Sequence, residues 1–498
     1  MKLHGSFLVA GVAQALGSAL PRTTYGDSLR PLVSSGAIQD AITTEGLMGN
    51  LQKLDSIAKT NGGNRAFGFP GYAASVEYIL SRTKDSSNFI TWTQDFPALF
   101  NGVTSIKFTV ANQSYYVLGL QYSPSTSAEG VTAPLVLGAS GDAGCTAEGY
   151  ASLDVKGKIV LVERGACPDG TTLAGRIRPA AAAGAVSVII YNNVETPITG
   201  GTLSSPDPVK FVPGGFINQA DGLALAAKIT SGQQVEAYFQ QTQVFETRIT
   251  QNVFTETISG DPNNIIMLGA HLDSVQAGPG INDDGSGTSL ILELKTALEK
   301  FTVKNKVRFA WWGAEENGLL GSKYYTSHLN TSEASSILTY LNFDMVSRGY
   351  FGVFDGDGST HGLAGPPGSD VIEKIFLEDM TSKGINVTAA RFTGGSDYAS
   401  FMSIGKPVGG LHTGTGVEQD PCYHQACDTI NNPNPNTLTV NAKAAAHVLS
   451  ILATKGQDII PKSPVNGTMI SSRGLVGSEI EWTTMDGDQH LGTCGHDV

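Results

Sequence analysis

The sequence predicts an α/β fold: a three-layer α/β/α sandwich with a mostly parallel central sheet and an inserted, smaller β-rich domain. One observation behind this prediction is that several apolar runs, suited to buried strands, end directly in polar residues. These runs are 265–268, 307–312 and 338–343. A second observation is helical spacing of apolar residues at 288–300, directly after the first strand run and its loop. The third is that 116–240 forms a separate unit with strand runs and an alanine-rich segment of its own.

Length and composition limit the class of protein. A chain of 498 residues exceeds the roughly 100–200 residues typical of one domain, which predicts two or more domains. Hydrophobic residues make up 41% and charged residues 15%, a balance typical of globular proteins. The formal net charge of -13 argues against nucleic acid as a partner. We expect a monomer.

The first 19 residues predict a secretory signal peptide, because Lys2 precedes an apolar stretch that ends in small residues. A buried first helix is the alternative. No later stretch approaches the roughly 20 consecutive apolar residues that a membrane span requires, so we expect a protein free of the membrane. The prediction is secretion to the extracellular space, with a vacuole as the alternative. N-glycosylation sequons that fit this route stand at Asn112, Asn330, Asn386 and Asn466.

The five cysteines are too few for a disulfide scaffold, and none has the C-x-x-C spacing of a thiolate zinc site. In an oxidising compartment their positions favour two bridges, Cys145 with Cys167 and Cys422 with Cys427. Buried thiols that pack as small apolar groups are the alternative for the second pair. Cys494 is left over near the terminus.

We divide the rest of the chain by composition and punctuation. Residues 20–35 are a possible pro-segment or linker, and the main domain begins with its first part at 36–115. The inserted unit occupies 116–240, and the second part of the main domain follows at 241–460. The polar tail 461–498 has no predicted role.

The stretch 267–287 presents an imidazole and several carboxylates together. The first strand run leads into His271 and Asp273, and open α/β sheets hold their sites at the carboxyl ends of strands. Asp283 and Asp284 then precede Gly-Ser-Gly, whose small residues suit a tight path into the following helix. One strand, one loop and one helix therefore bring these side chains to a common place.

The second strand run is followed by an adjacent pair of glutamates, Glu315 and Glu316. Neighbouring residues on a turning backbone point in different directions, so one can hold a metal while the other faces a water molecule. Such pairs are usually solvated surface residues. Their position at a strand end beside glycine favours a site instead.

Asp344 follows the third strand run directly, and His424 lies between Cys422 and Cys427. A lone histidine is more often a satisfied or surface residue than a metal ligand, but a bridge between the flanking cysteines could fix this loop. The sequence Asp-Gly-Asp-Gly at 355–358 lacks a glutamate at the distance that a calcium loop requires. We interpret it as a turn.

These side chains offer carboxylate and imidazole ligands without thiolate, which is typical of a catalytic zinc centre. The candidate ligands are His271, Asp283, Glu316, Asp344 and His424. They are too many for one zinc ion that keeps an open position, but they suit two zinc ions if one carboxylate bridges. Glu315 is the remaining carboxylate, able to accept a proton from a polarised water.

Two resemblances follow from longer stretches. The segment LDVKGKIVLVERGACPDGTTLAGRIRPAAAAGAVSVIIYNN resembles the protease-associated (PA) domain that is inserted in several secreted and vacuolar hydrolases. It carries no catalytic cluster, which indicates a packing or lid module.

The motifs AHLDS, NDDGSG, GAEENGLLGS, LNFDM and CYHQACD occur in that order. They are similar to those of the two-zinc aminopeptidase family, which includes vacuolar aminopeptidase Y and fungal secreted leucine aminopeptidases with an inserted PA domain.

The second resemblance implies a role for each candidate residue. Asp283 bridges the two zinc ions, His271 and Asp344 hold one, Glu316 and His424 hold the other, Glu315 is general base and acid, Tyr423 stabilises the oxyanion, and Asp273 orients His271. It also implies a cis peptide bond between Asp283 and Asp284. Some relatives have an arginine directly before the Ser-Asp pair near the substrate, where this chain has Gly395.

The expected substrates are peptides with a free N-terminus, with leucine and other apolar residues preferred. Within the same two-zinc fold, the alternative is a carboxypeptidase, which needs a basic pocket for a free carboxylate. The only basic residues near the motifs in sequence are Lys323, Arg348 and Arg391, and none of the three lies inside a motif. An inactive binding ectodomain is the alternative from another class, but it would be expected to lose ligands or the base.

Overall fold

The computed structural model describes residues 30–198, 200–203, 207 and 209–462. The predicted signal peptide, Asn466, Cys494 and the tail from 463 onward lie outside the described residues, as does most of the possible pro-segment. Among the described residues, no helix is both long enough and apolar enough to cross a membrane.

Strands are distributed along the whole described chain. They are β1 (Phe89–Val110), β2 (Gln113–Tyr115), β3 (Leu118–Gly119), β4 (Val131–Leu137), β5 (Ile159–Glu163), β6 (Ser187–Tyr191), β7 (Gly214–Ile217), β8 (Glu236–Thr257), β9 (Asp261–His271), β10 (Asn305–Trp312), β11 (Ile337–Phe343), β12 (Phe351–Phe354), β13 (Val387–Ala390) and β14 (Val408–His412).

Helices separate most of these strands. They are α1 (Ser35–Ala41), α2 (Thr44–Thr60), α3 (Pro70–Thr83), α4 (Ala147–Tyr150), α5 (Ala174–Ala182), α6 (Gln219–Thr230), α7 (Gly285–Leu298), α8 (Leu320–His328), α9 (Thr331–Ser336), α10 (Ser369–Ser382), α11 (Tyr398–Ser403) and α12 (Pro435–Ile459).

The central sheet has the strand order β13-β12-β14-β11-β9-β10 and continues into β8. Its strands pair in parallel except where β12 meets β14 and where β10 meets β8. The prediction of a mostly parallel sheet is confirmed. The carboxyl ends of β9, β10 and β11 lie side by side at one edge of this sheet, where the predicted site residues follow.

Successive residues of β9 pack into different layers. Ile266 and Leu268 belong to a large apolar cluster with residues of α2, α7 and α12, whereas Met267 belongs to a cluster with residues of α8 and α11 on the opposite face. Because alternate side chains of a strand point to opposite faces, helices cover both faces of the sheet. This arrangement is the predicted three-layer sandwich.

The inserted β-rich domain is present, but it is not separate from the central sheet. Strands β1 and β8 form one antiparallel ribbon, and each is 22 residues long. At 253–256, β8 pairs with β10 of the central sheet, and at 236–239 it pairs with β4 of the insertion. The ribbon is long enough to belong to both domains, so hydrogen bonds run continuously between them. The insertion still has apolar clusters of its own.

Both predicted disulfides form, Cys145 with Cys167 and Cys422 with Cys427. The three described sequon asparagines, Asn112, Asn330 and Asn386, are all exposed. Asn330 is also the N-cap of α9, where its side chain accepts a hydrogen bond from the N–H of Glu333 at 2.9 Å.

Candidate metal centre

His271 is the last residue of β9 and is fully buried. Its backbone N–H donates to Asp284 Oδ2 at 3.1 Å, and its Nδ1 lies 3.1 Å from the backbone oxygen of Asp273. The carboxylate of Asp273 is farther away, 3.7 Å from Nδ1. Because the carbonyl oxygen is an acceptor, Nδ1 carries the proton, and Nε2 is left as an electron-pair donor that faces the site.

Asp283 lies between two imidazoles. Its Oδ1 is 3.1 Å from His271 Nε2, and its Oδ2 is 3.0 Å from His424 Nε2. The peptide bond from Asp283 to Asp284 is cis, as the family resemblance implies. The N–H of Asp283 donates to Asp428 Oδ2 at 3.0 Å, so a second buried carboxylate fixes the backbone that carries the first.

The helix after this loop packs very closely on the sheet. Asp284 is the N-cap of α7 and accepts a hydrogen bond from Gly287 N–H at 2.8 Å. A Cβ at Gly287 would lie 1.9 Å from the backbone oxygen of Phe343, at the end of β11. Glycine is therefore required for α7 and the strand that precedes Asp344 to approach each other at this point.

The two glutamates follow β10 and are turned apart by the backbone. Ala314, directly before them, has a φ of 55°, in the left-handed region that a residue other than glycine rarely adopts. Glu316 Oε2 lies 3.1 Å from His424 Nε2, while Glu315 Oε2 lies 3.8 Å from His271 Nε2. The adjacent glutamates therefore face different imidazoles.

Asp273 contacts both His271 and the backbone of the adjacent glutamates. Its two carboxylate oxygens accept the N–H groups of Glu315 and Glu316 at 3.1 and 3.2 Å. The carboxylate thus fixes the backbone of both glutamates. The backbone oxygen of Asp273 is the hydrogen-bond acceptor for His271 Nδ1.

Asp344 completes the group next to His271. Its Oδ1 lies 3.7 Å from His271 Nε2, and its Oδ2 accepts a hydrogen bond from Ser396 Oγ at 2.6 Å. Met345, the next residue, has a φ of 52°. A second non-glycine residue with left-handed backbone therefore stands beside a candidate ligand.

The loop after β14 carries the last two candidate residues, Tyr423 and His424. His424 has a φ of 55° and stacks on the ring of Tyr423 with centroids 3.9 Å apart. Cys422 and Cys427 close this loop, and the next side chain, Gln425, donates to the backbone oxygen of Ile198 in the insertion at 3.1 Å. The inserted domain therefore contacts the loop that carries His424.

The centre concentrates buried negative charge. Asp283, Glu315, Glu316 and Asp344 are all buried, with at most 5% of each residue exposed. Both oxygens of each glutamate, Asp283 Oδ2 and Asp344 Oδ1 have no hydrogen-bond donor within the described part of the chain.

Burial raises the pKa of Glu315 well above its ordinary value, and the charges of Asp397 and Asp344 add to the effect. Burial lowers the pKa of His424, but Glu316 and Asp283 outweigh it and raise that pKa to about 10.

Such a cluster requires a cation, because unpaired carboxylates are costly to bury. Within this centre, two sets of possible ligand atoms lie within 4.8 Å of one another: His271 with Asp283 and Glu316, and His271 with Glu315 and Asp344. A third such set, Asp355 with Asp357 and Glu373, lies elsewhere and includes the exposed Asp357 of the predicted turn. Imidazole and carboxylate ligands without thiolate fit catalytic zinc. The residues present therefore fit the metal that the sequence predicts.

Sequence reasoning missed Arg65, which is fully buried beside the centre. Its Nε donates to Pro279 O at 2.9 Å, and its guanidinium also donates to Gly280 O and Leu272 O. These bonds hold the loop between His271 and Asp283, and they place a fixed positive charge near the carboxylates. A single arginine in the Gly-rich segment 62–71 offers no pattern from which this contact could be predicted.

Asp428 was also missed, although it belongs to the motif CYHQACD. Its oxygens accept the N–H groups of Asn282 and Asp283 at 2.8 and 3.0 Å. Its position, four residues after His424, was the available signal.

Comparison with known proteins matches residues 252–449 to Peptidase family M28 and residues 131–225 to the PA domain. The chain is 37% identical to Leucine aminopeptidase 2 of Arthroderma otae, over 97% of this chain and 98% of that relative. Among solved structures, it is similar to an aminopeptidase from Aneurinibacillus sp. strain AM-1, with a TM-score of 0.65, 27% identity, and coverage of 84% of this chain and 96% of that one. A zinc aminopeptidase from Bacillus subtilis gives a TM-score of 0.67 and 25% identity, with coverage of 85% and 98%. The chain therefore belongs to peptidase family M28 and is an aminopeptidase of that family with an inserted PA domain.

Proposed function

We propose that this protein is an extracellular aminopeptidase that removes N-terminal residues, preferably leucine and other apolar residues, with two zinc ions and a glutamate base. The observation that carries the proposal is the position of Asp283, whose two oxygens lie 3.1 and 3.0 Å from two different imidazoles. A carboxylate in that position can bridge two metal ions. Each ion then has one histidine of its own.

In this proposal one zinc ion is held by His271 and Asp344 and the other by His424 and Glu316, with Asp283 shared. Zinc in such a site polarises a peptide carbonyl and lowers the pKa of a water molecule to near neutrality. Three ligand carboxylates against two dications leave a net positive charge, which favours an anionic oxygen nearby.

Glu315 is the proposed general base. It is not assigned as a ligand, it is fully buried, and neither of its oxygens has a hydrogen-bond donor within the described residues. It is therefore available to take the proton of the attacking water and to return it to the leaving amine. Tyr423, which lies in the loop beside His424, is the proposed hydrogen-bond donor to the oxyanion of the tetrahedral intermediate.

A carboxypeptidase would need a cation free to bind the terminal carboxylate of the substrate. Arg348 donates to the backbone oxygen of Asn432 at 2.9 Å and faces Asp420 at 4.0 Å. Arg65 is occupied by backbone oxygens. Neither arginine is available for that task. Lys323, which lies near enough to Glu315 and Asp397 to interact with their charges, is the remaining described cation beside the centre, and the assay below distinguishes the two reactions.

The proposed location and domain division rest on several observations. Two disulfides and three exposed sequon asparagines suit a secreted protein. The preference for leucine rests on the similarity to relatives that carry leucine aminopeptidase in their names. We propose that the PA domain spans 116–240 and that the peptidase domain comprises 36–115 and 241–460.

The decisive experiment is a metal-dependent assay on one set of peptides. We expect leucine release from peptides with a free N-terminus, none from the same peptides with an acetylated N-terminus, and loss of activity after removal of metal with a chelator. Metal analysis of the reactivated enzyme should give two zinc ions per chain. Release from the carboxyl end, or full activity with one zinc ion, would contradict the proposal.

Replacing Cys422 and Cys427 together by serine should lower turnover and weaken zinc binding at the His424 site. Loop-entropy reasoning gives this short loop only about 2 kcal/mol of stability, so the thermal midpoint should change little. The bridge should act mainly by holding Tyr423 and His424 in place, where small displacements are costly.

The matched control replaces Cys145 and Cys167, whose sequence separation is 22 instead of 5. This variant should lose more stability, about 3 kcal/mol, and keep its turnover. Wild-type turnover and zinc affinity in the Cys422/Cys427 variant would remove the positioning role.

A further inference from the structure

A chain of hydrogen bonds between five buried side chains ends on Asp344. Trp312 Nε1 donates to Tyr340 Oη at 2.9 Å, Tyr340 Oη donates to Asn342 Oδ1 at 3.1 Å, Asn342 Nδ2 donates to Ser396 Oγ at 2.8 Å, and Ser396 Oγ donates to Asp344 Oδ2 at 2.6 Å. The exposed fraction of each of these residues is at most 6%. Every link is therefore largely shielded from bulk solvent.

The chemistry of its two ends fixes the direction of this chain. An indole N–H can only donate, so the hydroxyl of Tyr340 accepts from Trp312 and donates its one proton to Asn342. That bond orients the amide, whose NH₂ group then donates to Ser396. The hydroxyl proton of Ser396 is left for Asp344, because an ionised carboxylate can only accept. Burial raises the pKa of Tyr340 well above its ordinary value, so this tyrosine stays protonated.

The sheet makes specific room for the first link. Trp312 ends β10, Tyr340 lies in β11, and Gly269 lies in β9 between these two strands. A Cβ at Gly269 would lie 2.2 Å from Tyr340 Oη and 2.5 Å from Trp312 Nε1. Only glycine therefore allows the bond to form across the middle strand. Phe401 stacks on the Tyr340 ring with centroids 3.9 Å apart and fixes its plane.

We propose that Trp312, Tyr340 and Asn342 are positioning residues for the zinc ion assigned to His271 and Asp344. They direct the hydroxyl proton of Ser396 toward Asp344 Oδ2. Asp344 Oδ1, which accepts no hydrogen bond from the described residues, is then the oxygen that would bind the metal. This inference rests on the proposed two-zinc function. Outer hydrogen-bond partners of this kind orient a ligand and tune its donor strength, and successive bonds in one direction polarise one another.

The test replaces Tyr340 by Phe, which keeps the ring and removes the central hydroxyl. Metal-free protein is titrated with zinc in a calorimeter, and the two dissociation constants are compared with those of the wild type. We expect one site to weaken by about tenfold and the other to stay unchanged, since loss of an outer partner typically costs 10–100-fold in metal affinity.

The control is Tyr325→Phe. Tyr325 is also buried, and its ring packs against the same Trp312 ring with centroids 5.4 Å apart. Its hydroxyl accepts from Arg308 and takes no part in the series of hydrogen bonds that ends on Asp344. This control should keep both zinc affinities. An equal loss in both variants would assign the effect to packing of the aromatic cluster and overturn the proposal.

A double-mutant cycle separates positioning from general destabilisation. Because Tyr340 is proposed to act through Ser396, Tyr340→Phe should have little further effect on zinc affinity in a Ser396→Ala background. The same loss in both backgrounds, or unchanged affinity in Tyr340→Phe alone, would overturn the proposal. If Tyr340→Phe does not fold, Trp312→Phe removes only the first donor and should show a smaller loss at the same site. A wild-type protein that binds no zinc would instead refute the proposed function.

Discussion

Glu315→Gln is expected to lower turnover by roughly 10²–10⁴-fold, the usual contribution of a positioned general base. The substitution keeps the size and polarity of the side chain but removes its ability to accept a proton. Glu315 lies 3.8 Å from His271 Nε2 and has no hydrogen-bond donor within the described residues, so few other contacts should change. Both zinc ions should therefore remain, which metal analysis of the purified variant would establish.

The adjacent Glu316→Gln is the matched control. Glu316 Oε2 lies 3.1 Å from His424 Nε2, so this substitution should weaken zinc binding at the His424 site. Activity should then recover as the zinc concentration rises, whereas added zinc should not rescue Glu315→Gln. The reverse pattern, with zinc lost from Glu315→Gln and turnover normal at saturating metal, would exchange the roles of the two glutamates.

Asp283→Asn is expected to lower the zinc affinity of both sites, because Asp283 is a proposed ligand of both ions. Loss of a residue that only hydrogen-bonds to a ligand costs up to roughly 100-fold in metal affinity, and loss of this ligand should cost more. A neutral amide cannot offer two anionic oxygens to two cations. Calorimetric zinc titration of the metal-free variant should therefore show no tight site. Substitution of Asp344, which serves one ion only, should leave one tight site.

The same variant also makes a prediction about stability. Zinc that binds only the folded wild type should stabilise it by about 4 kcal/mol at a free concentration 1,000 times the dissociation constant. Asp283→Asn should gain almost none of that, so its thermal midpoint should not rise with added zinc. One zinc site of wild-type affinity in Asp283→Asn would contradict the bridging role.

The order of motifs along the chain predicted much of the candidate site. His271, the Glu315-Glu316 pair and Asp344 each follow a strand, and neighbouring parallel strands end at the same edge of a sheet. Their grouping therefore follows from strand order. His424 lies in a loop far along the chain, and it was placed by the family resemblance together with the flanking cysteines.

Residues that hold the site from outside could not be predicted in the same way. Arg65 lies about 200 residues before the loop that it holds, and it makes its contacts with backbone oxygens, which any residue could supply. The carboxylate of Asp273 bonds the backbone N–H groups of Glu315 and Glu316 in the next motif. Such contacts depend on how loops pack, and no residue type or spacing encodes them.

The sequence by itself determined the α/β class, the inserted domain, the candidate ligand types and the two disulfide pairs, because each depends on local periodicity or on residue chemistry. Only the tertiary structure decided that the insertion shares a ribbon with the central sheet, since strand pairing joins residues far apart in the chain. It also decided which oxygen of Asp344 stays free and which imidazoles Asp283 faces. These features depend on distances of a few ångströms between separate segments, and those distances exist only after the chain has packed.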